Sequence, residues 1–212
     1  MFGKSQQRFR VLKAKGKIMK KHQNIIENFK LNKLVNPQYV SAALVTYTQN
    51  GVDKDWEVVK AHDSVSILIY HKSKDAFVVV KQFRPAVYLN NNNGMTIELC
   101  AGIVDKDLSL AEIAKEEVEE ECGFEVDVED LEKITSFHTS VGFAGSKQML
   151  YYVEVDENMQ IHDGGGVDDE QIEVIYLPVN EAKQFIYDES IAKSPGLMFA
   201  FMWYFEKNSQ HT

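Results

Sequence analysis

From about Val40 onward, runs of apolar residues are broken by short polar turns. SAALVTYT alternates well enough to predict a half-buried strand. Asn50-Gly51 then signals a tight hairpin turn, since both residues tolerate the left-handed backbone such a turn needs. WEVVK, SVSILIY and AFVVVKQF are rich in β-branched and aromatic residues and predict three more strands, with HKSKD as a polar turn between the last two. Asn90–Gly94 predicts a loop and MTIELC a short strand. A helix is predicted from about Ser109 to Glu121, with Ser109 as N-cap, Glu112 completing a capping box and Gly123 at the stop. KITSFHTS, QMLYYVEV and IEVIYLP read as strands, with Asp163–Gln171 a flexible acidic loop carrying three glycines. Two helical patterns close the chain, near Asn180–Tyr187 and Pro195–Lys207. No internal repeat is present. Strands mixed with a few helices predict an α+β fold, a mixed sheet flanked by helices.

The helix near Glu117 is electrostatically costly. Residues 116–121 contain five glutamates. Glu116/Glu120 and Glu117/Glu121 are like-charged i,i+4 pairs, each unfavourable by roughly 0.2–0.5 kcal/mol in an isolated helix. The acids also crowd toward the negative end of the helix dipole. At helical spacing, Leu110, Ile113, Ala114, Glu117 and Glu121 share one stripe, with Glu120 on its flank, so an apolar face runs directly into carboxylates. Partly buried carboxylates must be protonated, paired or metal-bound. No Lys or Arg lies one helical turn away on that face, which points to a hard divalent cation, Mg²⁺ or Mn²⁺. A solvated acidic face is the competing reading.

Composition narrows the classes. With 44% hydrophobic and 26% charged residues over 212 positions, the chain is of ordinary globular type and long enough for a sizeable core. No run approaches the ~18–20 apolar residues of a membrane span. Two cysteines, Cys100 and Cys122, argue against a disulfide framework and read as small buried hydrophobes in a reducing compartment. Of the 23 Lys and Arg, eight fall in residues 1–26 with none of the 32 acids, so the remainder is strongly acidic. That body disfavours nucleic acid as a partner, because phosphate neutralisation needs clustered cations. The basic segment is open to three readings: a solvated disordered tail, a mitochondrial presequence, or a segment that touches acidic or membrane surfaces.

The residues flanking the acidic helix carry a resemblance. Gly102, Glu117, Val118, Glu120, Glu121, Gly123 and Phe124 match the Nudix box, G-x(5)-E-x(7)-R-E-U-x-E-E-x-G-U with U a bulky apolar residue. Two positions depart from it: Leu108 replaces the first box glutamate and Glu116 the box arginine. Those two residues commonly support each other in the family, so their joint loss strands neither charge; Asp105 and Glu112 are candidate substitutes. HDSVSILIY, VVVKQFRPAVY, TIELCAG, SVGFAGSKQMLYYVEV and GGGVDDEQIEVIYLP extend the likeness over roughly residues 40–205. Together they resemble the uridine diphosphate glucose pyrophosphatase branch, close to the ADP-ribose pyrophosphatases.

The resemblance implies a Nudix fold: a mixed sheet sandwiched between helices (α/β/α), with an N-terminal antiparallel β extension. Residues 1–36 are then a basic extension, 37–212 the Nudix domain, and 37–60 strands of a homodimer interface. It implies Mg²⁺, with Mn²⁺ a possible substitute, held by Glu117, Glu121, Glu170 and the Ala101 carbonyl. Glu120 lies beside them as a further ligand or a catalytic group, and Asp168 positions or deprotonates water. Arg84 is the candidate grip on a phosphate or ribose oxygen, by its fork of donors. Glu98 is a substrate-side or metal-side candidate with a strand-end salt bridge as the alternative. Ser140 and Gly142 belong to a glycine-rich loop whose backbone N–H groups suit a substrate. Tyr88 reads as a core residue or a base-stacking one.

The activity so implied is Mg²⁺-dependent hydrolysis of a nucleoside diphosphate sugar, UDP-glucose giving UMP and glucose 1-phosphate, in the cytoplasm. The alternatives are hydrolysis of ADP-ribose to AMP and ribose 5-phosphate, and a silent binding module, which the Leu108 and Glu116 departures motivate. A mitochondrial location follows if residues 1–26 act as a presequence.

Overall fold

The computed structural model describes residues 25–209. The readings of the basic segment therefore lie almost wholly outside the described residues.

Strands β3 (Ser64–His71) and β4 (Ala76–Phe83) form the spine, and the way they separate creates the site. They pair antiparallel only beside their connecting turn, Ile69 to His71 against Val78 to Ala76. The turn is a single 3₁₀ turn, Lys72–Lys74, closed by Asp75 in the left-handed region. Beyond it a later segment fills the widening gap between the two strands. β5 (Met95–Glu98) pairs with β4, placing Glu98 opposite Val80. β6 (Cys100–Ile103) pairs with β3, placing Ala101 opposite Ser66. MTIELC is thus not one strand: the chain changes partner at Leu99, which packs into the core.

The rest of the sheet grows outward from this spine. β8 (Lys147–Val155) runs parallel to β3, and β7 (Glu132–His138) is antiparallel to β8. β9 (Glu173–Pro178) covers the other edge of β4, and the two-residue β10 (Ala192–Lys193) lies parallel to β5. The sheet is mixed, as expected.

Alternation along the strands sends side chains to opposite faces. Val65, Ile67, Ile69, Val78 and Val80 pack against Ile113, Ala114 and Val118 of helix α2 (Leu110–Cys122). Leu68, Phe77 and Val79 pack on the other face, against Phe185 of α3 (Val179–Ile186) and Leu197, Phe201 and Tyr204 of α4 (Pro195–Ser209). Phe77 and Phe201 stack with ring centroids 4.4 Å apart. The result is the helix–sheet–helix sandwich of the expected α+β class.

One helix was not anticipated. Pro85–Asn91 forms α1, with Arg84 as N-cap, Pro85 in its first turn and Asn92 closing it in the left-handed region. Pro pre-sets the first helical φ at no hydrogen-bond cost, since that N–H would be unpaired anyway. Most of the predicted asparagine loop is therefore helix end and cap. Tyr88 on α1 packs between the rings of Phe29 and Phe83.

At the N-terminal side, β1 (Ser41–Gln49) and β2 (Val52–Lys60) make a separate two-stranded antiparallel sheet, turned at Asn50 and Gly51, both at positive φ. The Trp56 indole N–H donates to the Gly142 carbonyl at 2.7 Å, and the Val59 N–H donates to the Phe143 carbonyl at 2.8 Å. No helix among the described residues is long and apolar enough to cross a membrane.

Candidate active site

Helix α2 is fixed at both ends before its glutamates matter. The Ser109 hydroxyl accepts from the Glu112 N–H and the Glu112 carboxylate accepts from the Ser109 N–H, the reciprocal box that satisfies two orphan donors. At the other end Gly123 adopts a left-handed φ of 78° and donates to the Glu119 carbonyl at 2.8 Å. The glycine loop after β8 finishes the cap. Gly165 N–H donates to the Glu121 carbonyl at 2.9 Å and Gly166 N–H to the Glu120 carbonyl at 3.0 Å. These N–H groups neutralise the negative helix end where the acids crowd. The loop is anchored by these bonds: the Gly165 and Gly166 N–H groups are engaged by the helix, and the Gly164 N–H donates to His162 Nδ1 at 3.0 Å.

Glu121 is the most buried acid, 4% exposed, and the Ala101 N–H of β6 donates to its Oε2 at 2.9 Å. Burial pushes its carboxyl up to about 8; the Ala101 N–H pulls the other way, and the charges of Glu117 and Glu170 add to the rise. Glu117 is pushed up to about 7, first by burial, then by Glu120 and Glu170. A Cβ on Gly102 would overlap the Glu117 carboxylate, so the glycine that opens the box is room for this side chain. Glu120 lies half-buried on the flank, as the stripe predicts.

Glu170 is exposed on the loop, its Oε2 accepting the Val167 N–H at 3.1 Å, and its charge reaches Glu117, Glu121 and Arg84. Asp168 sits at the exposed tip of the same turn with φ of 51°. Arg84 grips Glu98 with two parallel bonds, Nε–H to Oε1 at 2.9 Å and Nη2–H to Oε2 at 2.7 Å. Burial alone would raise the Glu98 carboxyl, yet the Arg84 fork and the Thr96 hydroxyl hold it below the usual range. The bonds to Glu98 hold Arg84 in its charged form, and the charges of Glu121 and Glu170 favour that form further.

The sequence reading missed one cation. Lys106, from the loop between β6 and α2, pairs with Glu116 at 2.5 Å and is coupled to Glu120 and Glu117. The missing box pair is replaced by a pair of opposite polarity. Of the two candidate substitutes, Glu112 is engaged by the capping box instead. Helical periodicity held no signal for Lys106, because its partner lies ten residues away across a loop.

Ser140 and Gly142 lie on the exposed turn between β7 and β8. The Ser140 carbonyl accepts from the N–H groups of Phe143, Ala144 and Gly145, at 3.0, 2.9 and 3.3 Å. Those three donors are turned inward; the Gly142 and Phe143 carbonyls accept from the β1–β2 hairpin, and the Gly145 carbonyl lies 2.8 Å from His138 Nδ1 of β7. Cys100 and Cys122 are free, buried thiols, and burial pushes Cys100 well up, consistent with a packing role.

The donor set fits a hard divalent cation chemically. Glu117 and Glu121 present oxygen ligands whose ionisation burial disfavours, a disadvantage that a bound cation offsets. Among the described residues no three His, Cys, Asp or Glu side chains converge to close ligating geometry, so the acids form a gathered set that is not closed into a cage.

Comparison with known proteins shows the family. The NUDIX domain model matches residues 60–195, and the chain belongs to the Nudix family. It is 36% identical over 209 residues to a uridine diphosphate glucose pyrophosphatase of Bos taurus, covering 85% of this chain and 94% of that one. It is also 36% identical to the Mus musculus protein of that name, over 82% of this chain and 91% of the relative. A GDP-mannose pyrophosphatase of Cronobacter sakazakii is 35% identical over 71% of this chain and 81% of its own length.

Proposed function

We propose that this protein hydrolyses the diphosphate of a nucleoside diphosphate sugar with Mg²⁺, UDP-glucose giving UMP and glucose 1-phosphate. The observation that carries the reading is the pair Glu117 and Glu121, two partly or fully buried carboxylates pushed up to about 7 and about 8. A folded chain tolerates such a pair where function requires it. The pyrophosphatase names of the relatives supply the substrate class.

Glu117, Glu121, Glu170 and the Ala101 carbonyl would hold the cation, with Mn²⁺ as a substitute. When bound, it supplies charge neutralisation at the phosphate oxygens and lowers the pKa of water. Arg84 binds a non-bridging phosphate oxygen. Asp168 and Glu120 are the groups that orient the attacking water and accept its proton as the P–O–P bridge breaks. Bond making and breaking need little covalent help, so positioned charge is the main contribution of these side chains.

The β1–β2 hairpin supports a homodimer. Leu44, Val45, Tyr47, Val52 and Trp56 are all exposed on a two-stranded sheet, an arrangement marginal in isolation. We place the protein in the cytoplasm, where the free thiols of Cys100 and Cys122 persist.

Incubation with UDP-glucose, GDP-mannose and ADP-ribose, each with Mg²⁺ or with EDTA, and product identification by mass tests the reading. Mg²⁺-dependent UMP and glucose 1-phosphate are expected. A strong preference for GDP-mannose, which the bacterial relatives favour as a second reading, or for ADP-ribose, would move the substrate. No turnover of any would leave a binding module.

A further inference from the structure

Glu98 is surrounded by donors. Its Oε1 accepts from Arg84 Nε–H at 2.9 Å and from the Thr96 hydroxyl at 2.5 Å. Its Oε2 accepts from Arg84 Nη2–H at 2.7 Å and from the Gln82 amide at 3.5 Å. Four donors match the roughly four lone-pair sites of a carboxylate, so Glu98 has little capacity left for a ligand. Arg84 is in the opposite position. It uses two of its five N–H donors on Glu98, its backbone is fixed as the N-cap of α1, and its charge couples to Glu121 and Glu170.

Thr96 is the least expected member of the group. It is 5% exposed, pairs across the sheet with Gln82, and its hydroxyl also lies 3.3 Å from the Gln82 carbonyl. Strand side chains are stiff at a β-branched residue, so the hydroxyl is presented in one direction. A rigid strand therefore holds a carboxylate, and the carboxylate holds a guanidinium in one plane.

We propose that Glu98 and Thr96 are positioning residues: through Glu98, Thr96 fixes the plane of the Arg84 fork, so that its three remaining N–H donors meet the non-bridging oxygens of a diphosphate. This rests on the reading that Arg84 binds the diphosphate. Neither Glu98 nor Thr96 touches substrate in this arrangement. Preorganising a donor fork removes an ordering cost from binding.

The test is a double-mutant cycle on dissociation constants for UDP-glucose, GDP-mannose and inorganic pyrophosphate, with KM and kcat for those turned over. Arg84→Ala is expected to weaken binding of the tightest of these by about 10- to 100-fold, the range for a charged hydrogen bond. Thr96→Val and Glu98→Gln should each weaken it by about 3- to 10-fold, mainly in KM, for loss of a neutral or part-charged partner. Thr96→Ser restores the hydroxyl and should return within about twofold. In the Arg84→Ala background, Thr96→Val should have almost no further effect, a result that a merely structural threonine would not give. If Arg84→Ala binds all three probes as the parent does, or if none binds the parent, the reading of Arg84 fails and the proposal falls with it. If Arg84→Ala weakens binding but Thr96→Val does not, or acts equally in both backgrounds, the positioning role is overturned while Arg84 stands. Melting curves on each variant separate misfolding from these outcomes.

Discussion

Lys106 and Glu116 form an ion pair at 2.5 Å between the loop after β6 and helix α2, and they do so with the charges opposite in order to the family's box. The pair removes one of five clustered glutamates from the repulsion along α2 and ties the loop to the helix. It is half-exposed, with side chains 47% and 40% accessible, so its direct contribution to stability is small, about 0–1 kcal/mol.

Reversing Lys106 alone adds a sixth acid beside Glu117 and Glu120. Lys106→Glu is expected to lower kcat/KM severalfold, on the order of 10-fold, with a change in stability near 1 kcal/mol. The double variant Lys106→Glu with Glu116→Lys restores the pair in the family's order of charges and should recover most of the loss. Steady-state kinetics and urea melts on the three variants measure this. A double variant no better than the single one would show that the pair does not matter as a pair.

Gly102 is a prediction about space. Its φ is not in the left-handed region, so alanine is tolerated by the backbone, yet the added Cβ would occupy the position of the Glu117 carboxylate. The side chain swings aside at little cost because it is flexible. Gly102→Ala is therefore expected to melt within a few degrees of the parent while losing on the order of 10²-fold in kcat, the usual effect of displacing a positioned group by about 1 Å. Activity close to the parent's would show that the position of Glu117 is not critical.

Much of this was legible because it is local. Ser109, Glu112 and Gly123 are cap residues whose spacing is their signal, and α2 begins and ends where they predict. The apolar runs of β3 and β4 announced the spine. What escaped depends on partners distant in sequence. MTIELC reads as one strand because nothing in six residues reveals that β5 and β6 pair with different neighbours. Helix α1 escaped because it spans only seven residues, begins at an arginine without a side-chain cap bond, and ends in asparagines that read as loop. The acids of the site were visible as a stripe. Lys106 was not, since it reaches its carboxylate across a loop. Thr96 and Glu98 are only two residues apart on a predicted strand, but nothing local reveals that Glu98 meets Arg84, fourteen residues away, and that meeting is what gives Thr96 its place in the site.

Gly164 joins the loop to the end of α2. Its φ is 69°, and a Cβ there would collide with the backbone of Glu121 and Cys122, which cannot move aside as a flexible side chain can. Gly164→Ala is expected to destabilise the protein by about 1–3 kcal/mol, from left-handed strain and the lost approach. It should also reduce activity, because Glu170 is carried by the same loop. Chemical denaturation together with kinetics tests both effects. An unchanged midpoint would mean that the loop is not held against the helix in solution.

The pH dependence of stability carries the sign of the site. Without a cation, burial pushes the Glu117 and Glu121 carboxyls up to about 7 and about 8, against an ordinary value of 4.5. Between 4.5 and these values the folded chain holds protons that the unfolded chain has released. Stability contributed by the two groups is therefore present below pH 4.5 and declines as pH rises toward 8, by a few kcal/mol in order of magnitude. Acids held below their usual range, such as Glu98, act in the opposite sense, so the difference between parent and variant is the informative quantity. Glu121→Gln cannot ionise and keeps an oxygen for the Ala101 N–H. It should flatten the decline between pH 5 and 8, melt at or above the parent temperature at pH 8 without Mg²⁺, and lose on the order of 10³-fold in Mg²⁺-dependent kcat. Added Mg²⁺ should raise the parent's melting temperature more at pH 8 than at pH 6, because binding competes with protons, and should do little for the variant. Scanning fluorimetry across pH, with and without Mg²⁺, measures all of these. A variant whose melting temperature falls with pH as steeply as the parent's would mean that Glu121 is not the buried acid responsible.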